Sequence, residues 1–192
     1  MNSKKSAITF FLLFSSILGC FCSCSSNAAV RKNQPYANLT GSSKYFLLPA
    51  QDIESPLDMA QRISASWQGK NYSFNAWVQA DETGMEMTLL NELGANMGDL
   101  SYRNGLVSFS SLVFPQSLKP EYIVADFQLC FYSVPPLRQA LEDCGLSFES
   151  TENSRRIFQK ETVIIEIEKS KDAVRLINHL QGYAYTLEGN FE

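Results

Sequence analysis

The sequence predicts a mainly β domain with a few helices, arranged as an antiparallel sheet or barrel. Three observations carry that prediction. Apolar and polar residues alternate in segment after segment, tight-turn residues separate the segments, and helical spacing is confined to short stretches.

The elements follow in order. Residues 44–48 form a first short strand. Ser55-Pro56-Leu57-Asp58 has the composition of a helix start, with Ser as cap, Pro at the first position and Asp at the third. Leu57, Ala60, Ile63 and Trp67 then share one helical stripe, so a helix is expected there. Tyr72, Phe74, Ala76, Val78 and Ala80 occupy one strand face. Asn71, Ser73, Asn75 and Gln79 occupy the other, with Trp77 the exception. After the turn Asp81-Glu82-Thr83-Gly84, Met85, Met87 and Leu89 alternate with Glu86 and Thr88. A strand over 97–102 reverses at Arg103-Asn104-Gly105, a strong hairpin signal, and 106–110 returns. From Pro120, the residues Ile123, Val124, Phe127, Cys130 and Phe131 mark a helix, broken at Pro135-Pro136. Leu137, Ala140 and Leu141 continue as a short helix stopped at Gly145. Strands over 145–150, 155–160, 162–168, 173–178 and 183–188 complete the chain, making about ten, short and mostly hairpin-linked.

The N-terminus has the order of an export signal. Lys4 and Lys5 precede an apolar run over residues 7–18, too short for a spanning helix, which needs roughly twenty residues. Ile17-Leu18-Gly19-Cys20 resembles a bacterial lipobox. Residues 1–19 are therefore expected to be a signal peptide and Cys20 the lipidated residue, with a diacylglycerol and a palmitate-type N-acyl chain as the membrane anchor. Cys22 and Cys24 are alternative anchor positions. Phe21, rather than Asp, follows the anchor, which favours the periplasmic face of the outer membrane. Residues 20–43, rich in Ser, Asn, Ala and Gly beyond the anchor, read as a flexible tether, and 44–192 as one domain. Removing Lys4 and Lys5 takes the formal charge from −4 to −6, which disfavours nucleic acid as a partner.

The search for chemistry points away from an enzyme. His179 is the single histidine, which leaves no multi-histidine metal site, and no cofactor fingerprint, P-loop or nucleophile elbow occurs. Asp126 lies among apolar residues; it is either a buried acid or, the reading preferred here, part of a polar helix side with Glu121 and Gln128. Arg155-Arg156 reads as a solvated strand end in preference to a lipid head-group site. Cys130 and Cys144 could pair in an exported protein, but Cys130 in an apolar run suits a buried free thiol, which is preferred. Large apolar side chains dominate the inward strand faces. Such faces must be covered, and incomplete filling leaves a ligand cavity. A fully packed core with no ligand is the alternative.

Trp67-Gln68-Gly69-Lys70, Trp77-Val78-Gln79, Leu89-Leu90-Asn91-Glu92-Leu93-Gly94 and Gly98-Asp99-Leu100-Ser101-Tyr102 occur in that order. So arranged, they resemble the LolA/LolB family of lipoprotein carriers and receptors. The chain is more similar still to an uncharacterised LolB-like outer-membrane lipoprotein family, a domain of unknown function often encoded near aryl-polyene or fatty-acid-type biosynthesis genes. The Pro49 region, residues 122–129 and Gly182-Tyr183 have counterparts there. The resemblance implies an unclosed antiparallel half-barrel capped by helices, with an apolar cavity for acyl chains or lipidated cargo, and a periplasmic carrier as partner. Tyr72, Phe74, Val78, Met85, Met87, Phe127, Ile165 and Tyr183 are expected to line that cavity. Leu93 matches a membrane-inserting loop leucine, although Glu92 stands where that family usually has Pro.

Overall fold

Alternation of two becomes strand over most of the chain, and each reversal falls on residues that tolerate a tight turn. The computed structural model describes residues 33–115 and 118–191. Its strands are β1 (Tyr36–Asn38), β2 (Lys44–Phe46), β3 (Leu57–Trp67), β4 (Lys70–Asp81), β5 (Gly84–Leu90), β6 (Asn96–Arg103), β7 (Leu106–Ser110), β8 (Ser147–Ser150), β9 (Ser154–Gln159), β10 (Thr162–Lys169), β11 (Ala173–Asn178) and β12 (Tyr183–Glu188). Two helices, α1 (Pro120–Phe131) and α2 (Val134–Asp143), separate β7 from β8. Asn104 and Gly105 both have positive φ, 53° and 73°, as the two-residue β6–β7 hairpin requires.

Ten strands form one antiparallel sheet in the order β7-β6-β5-β4-β3-β12-β11-β10-β9-β8, and its edges β7 and β8 do not pair. The sheet is therefore unclosed. β12 lies against β3, Tyr183 opposite Trp67 and Glu188 opposite Arg62, so the end of the chain joins the two halves across the helical insertion. α1 touches β7, one edge, and also β11 on the other half, which requires the sheet to curl around it. α2 packs on β2 and β8.

Two expectations about the elements and their bounds are corrected. Residues from Ser55 do not begin a helix; Leu57–Trp67 is the long strand β3, paired along its length with β4. Its period of two is masked because polar Gln61 and small Ala65 occupy inward positions beside Leu57, Met59 and Ile63. Pairing with β4 and β12 overrides the helical preference of Met, Ala, Gln and Arg. The compact unit also begins at Gln34 and not at the expected residue 44. β1 pairs with β2, and Ala37, Leu39 and Tyr45 are buried in the core. The expected signal peptide, Cys20 and residues 20–32 of the expected tether lie outside the described residues.

α1 is enclosed on every side: Val124 to Phe131 are all buried. Its polar groups consequently need internal partners. The Gln128 amide is fully buried. Its Oε1 accepts from the Tyr45 hydroxyl (3.1 Å) and the Leu48 N–H (2.9 Å), while its Nε2 donates to the Leu48 carbonyl (2.8 Å). Arg155 is buried as well, not at a solvated strand end. It donates to the Leu129 carbonyl (2.9 Å), in the last turn of α1, and to Glu54 Oε2 (2.8 Å). Arg156 is the exposed member of the pair, bonded to Glu166. Cys130 and Cys144 are free thiols.

Gln128→Leu keeps the volume but orphans the Tyr45 hydroxyl and the Leu48 N–H, while the Leu48 carbonyl keeps the Tyr102 hydroxyl as its donor. A loss of about 3 kcal/mol is expected by chemical denaturation, given 1–3 kcal/mol per orphaned buried group. A loss below about 1 kcal/mol would show that Gln128 does not anchor the helix.

Candidate ligand cavity

The upper half of the inward sheet face is not filled. A cavity of about 660 Å³ lies between β3, β4, β5 and β12 on one side and α1 with the segment before it on the other. That volume falls within the range of roughly 300–1,000 Å³ typical of small-molecule sites. Ile63, Phe74, Met87, Leu187, Ile123 and Phe127 supply apolar walls. Lys119, Asp126 and Gln181 are polar residues of its lining, apart from the tyrosines. Lys119 and Gln181 are exposed and mark the mouth, whereas Asp126 is buried, 8 % exposed.

Strand register identifies the end at which the cavity opens. The β3–β4 turn, the β5–β6 loop, the exit from β7 and the β11–β12 turn all lie at the same end of the sheet. That end carries Trp67, Tyr72, Leu93, Leu112, Val113 and Leu180, all large apolar side chains exposed to solvent. Two of the loops are locally built to present them. Asn91 Oδ1 accepts from the N–H groups of Leu93 (2.9 Å) and Ala95 (2.8 Å), and Gly94 has φ +78°. Leu93 is thereby held at a tip, 93 % exposed. Ser111 does the same for its loop, donating to the Met97 carbonyl and accepting from the N–H groups of Val113 and Phe114, both 3.0 Å. Leu112 and Val113 turn outward, while Phe114 turns in against Phe74 and Phe109.

Of the residues expected to line a cavity, Phe74, Met87, Phe127 and Tyr183 do so. Val78, Met85 and Ile165 lie in the packed core instead, and Tyr72 is 45 % exposed near the β3–β4 turn. Leu93, matched to a membrane-inserting loop, lies exposed in the β5–β6 loop. The sequence reading missed the segment over Phe114, Pro115 and Leu118, which closes one side of the cavity.

Asp126 is not on a polar helix side. It faces the cavity, and the Tyr183 hydroxyl donates to its Oδ2 at 2.8 Å. Burial raises its pKa to about 7, against the opposing effect of the Tyr183 hydrogen bond. Burial, reinforced by the Asp126 charge, pushes the Tyr183 and Tyr185 hydroxyls upward, so both stay protonated donors.

A family model described as a protein of unknown function (DUF3261) matches residues 58–189. The chain belongs to this family. The DUF3261 match runs from β3 to the end of β12 and so contains every strand and helix that walls the cavity. No curated protein matches the chain. Among the described residues of this DUF3261 member, no group of three His, Cys, Asp or Glu is placed to hold a metal ion, and no helix is long and apolar enough to cross a membrane.

The Asp126 carboxyl sets a sign for pH dependence. Its folded pKa is raised, so between the unfolded value near 3.8 and about 7 the folded state binds the extra proton, and stability falls as pH rises through that window. The shift corresponds to about 4 kcal/mol once both states are ionised. Asp126→Asn removes this slope. Thermal melts should show the variant gaining on the wild type from pH 4 to pH 8, and parallel profiles would mean that Asp126 titrates normally.

Proposed function

We propose that this protein is a lipid-anchored envelope protein that holds acyl chains or lipidated cargo in its cavity and passes them to a membrane. It acts as a binding module and not as an enzyme. One observation carries the reading: an apolar cavity lies toward the end of the sheet that also carries six exposed apolar side chains, of which Trp67 lines the cavity itself. Exposed apolar groups gathered at one place mark an interaction surface. Here they would meet hydrocarbon at the point where the ligand leaves. The resemblance to LolA and LolB supports the same role, with Leu93 as the inserting residue and the outer membrane as the acceptor. The cavity favours this reading over a structural lipoprotein with a full core. The Cys20 lipid would hold the domain near the bilayer, with a periplasmic carrier delivering cargo to it.

Native mass spectrometry after mild detergent extraction should find co-purified lipid on the wild-type protein. A protein that is always empty and fails to load a fluorescent fatty acid would overturn the reading. Leu93 and Leu112 contribute little to folding, so Leu93→Glu and Leu112→Glu should each leave stability within about 0.5 kcal/mol of wild type. Loading should also be unchanged, while release to liposomes slows several-fold, because a charge is costly to carry into hydrocarbon. Unimpaired release by both variants would remove the membrane-facing role of these loops. Cys20→Ser should move the protein to the soluble fraction; retention at the membrane would assign the anchor elsewhere.

A further inference from the structure

A cavity that only had to hold hydrocarbon would need no acid in its wall, yet Asp126 is there, nine-tenths buried. It lies six residues into α1 from Pro120, roughly 9 Å along the helix axis, and so away from Lys119 at the mouth. Among the described residues the Tyr183 hydroxyl is its one hydrogen-bond partner and occupies Oδ2. Among the described residues no cation neutralises it. Tyr183 and Tyr185 face it from β12 and Cys130 lies near it on its own helix, all groups that stay neutral. Lys119 stands at the mouth, and Lys169 and Arg155 are paired with Glu54. An uncompensated carboxyl in an apolar wall is costly, and a donor arriving with the ligand relieves that cost. A carboxylate arriving instead would add a like charge.

We propose that Asp126, oriented by the Tyr183 hydroxyl, is the selectivity contact of the cavity, accepting a hydrogen bond from an uncharged hydroxyl or amide N–H on an acyl amphiphile. This rests on the acyl-binding reading and narrows it: hydroxylated or amide-linked acyl chains are ligands, and free fatty-acid anions are poor ones. The apolar walls set how much chain is held, and Asp126 sets which chain.

The test uses the full-length protein held in amphipol at pH 8, about one unit above the Asp126 pKa of about 7. Binding is measured for a radiolabelled long-chain alcohol, primary amide, carboxylate and methyl ester of equal chain length. The wild type should bind the alcohol and the amide about tenfold or more tighter than the other two, the worth of one hydrogen bond to a charged acceptor. Asp126→Leu should bring all four within about threefold of one another, and Asp126→Asn, which keeps an acceptor for Tyr183, serves if the leucine variant does not fold. Equal binding of alcohol and methyl ester by the wild type, or a preference that survives in the variants, would overturn the selectivity role while leaving acyl binding intact. Failure of the wild type to bind any of the four would overturn both.

Discussion

The structure depends on holding α1 against the inner face of an open sheet. A helix enclosed from Val124 to Phe131 has no polar side to give to water, so its position is set by hydrogen bonds made inside the protein. Gln128 ties it to the backbone of Leu48, Tyr102 donates to the same carbonyl, and Arg155 closes its last turn at Leu129. Tyr132 bridges to Ile53, and Ser133 donates to the Asp52 carbonyl. The segment between β2 and β3 therefore acts as a clamp on the C-terminal end of the helix. These contacts gather at the lower end of α1, and its upper turns, with Tyr122, Ile123 and Asp126, face open space.

That open space follows from lengths. β3 and β4 have 11 and 12 residues, and a strand of that size spans roughly 36–40 Å. The 12 residues of α1 span roughly 18 Å. One helix cannot cover such strands from end to end. The lower part of the sheet is packed core around Val78, Met85, Leu100 and Ile165, and the upper part is left to Phe114, Pro115 and Leu118. A large side chain at Ala65 would fill more of the space, but that wall position carries alanine.

The same geometry explains what could be read from the sequence. Alternation reveals which face of a strand is inward, and β4 to β7 and β9 to β12 are legible from it. It does not reveal how far along the strand the covering helix reaches. Val78 and Met85 consequently share a face with Phe74 and Met87 yet lie in packed core, and Tyr72 lies near the exposed turn. β3 was hidden by Gln61 and Ala65 at inward positions, and β1 by having only three residues in a Ser- and Asn-rich stretch. Asp126 had a usable signal. Apolar residues flank it at 123, 124, 125, 127, 129 and 130, which leaves no face of a helix for a polar stripe.

On the proposed reading, the division between apolar walls and a single acid has a consequence for transfer. Moving a hydrocarbon chain from a protein cavity to a bilayer exchanges one apolar environment for another, so burial of the chain contributes little to the direction of movement. The differential term is polar. A bilayer interior offers no acceptor to a hydroxyl or amide N–H, whereas the Asp126 carboxyl does. Affinity relative to the membrane is then governed by one hydrogen bond, small enough for release and large enough to sort one acyl species from another. The exposed leucines at the mouth bear on the other half of the problem, the barrier. On that reading they would let the chain cross without meeting water, so speed of delivery and choice of ligand would be set by different residues, one set at the exposed loops and one acid inside the cavity.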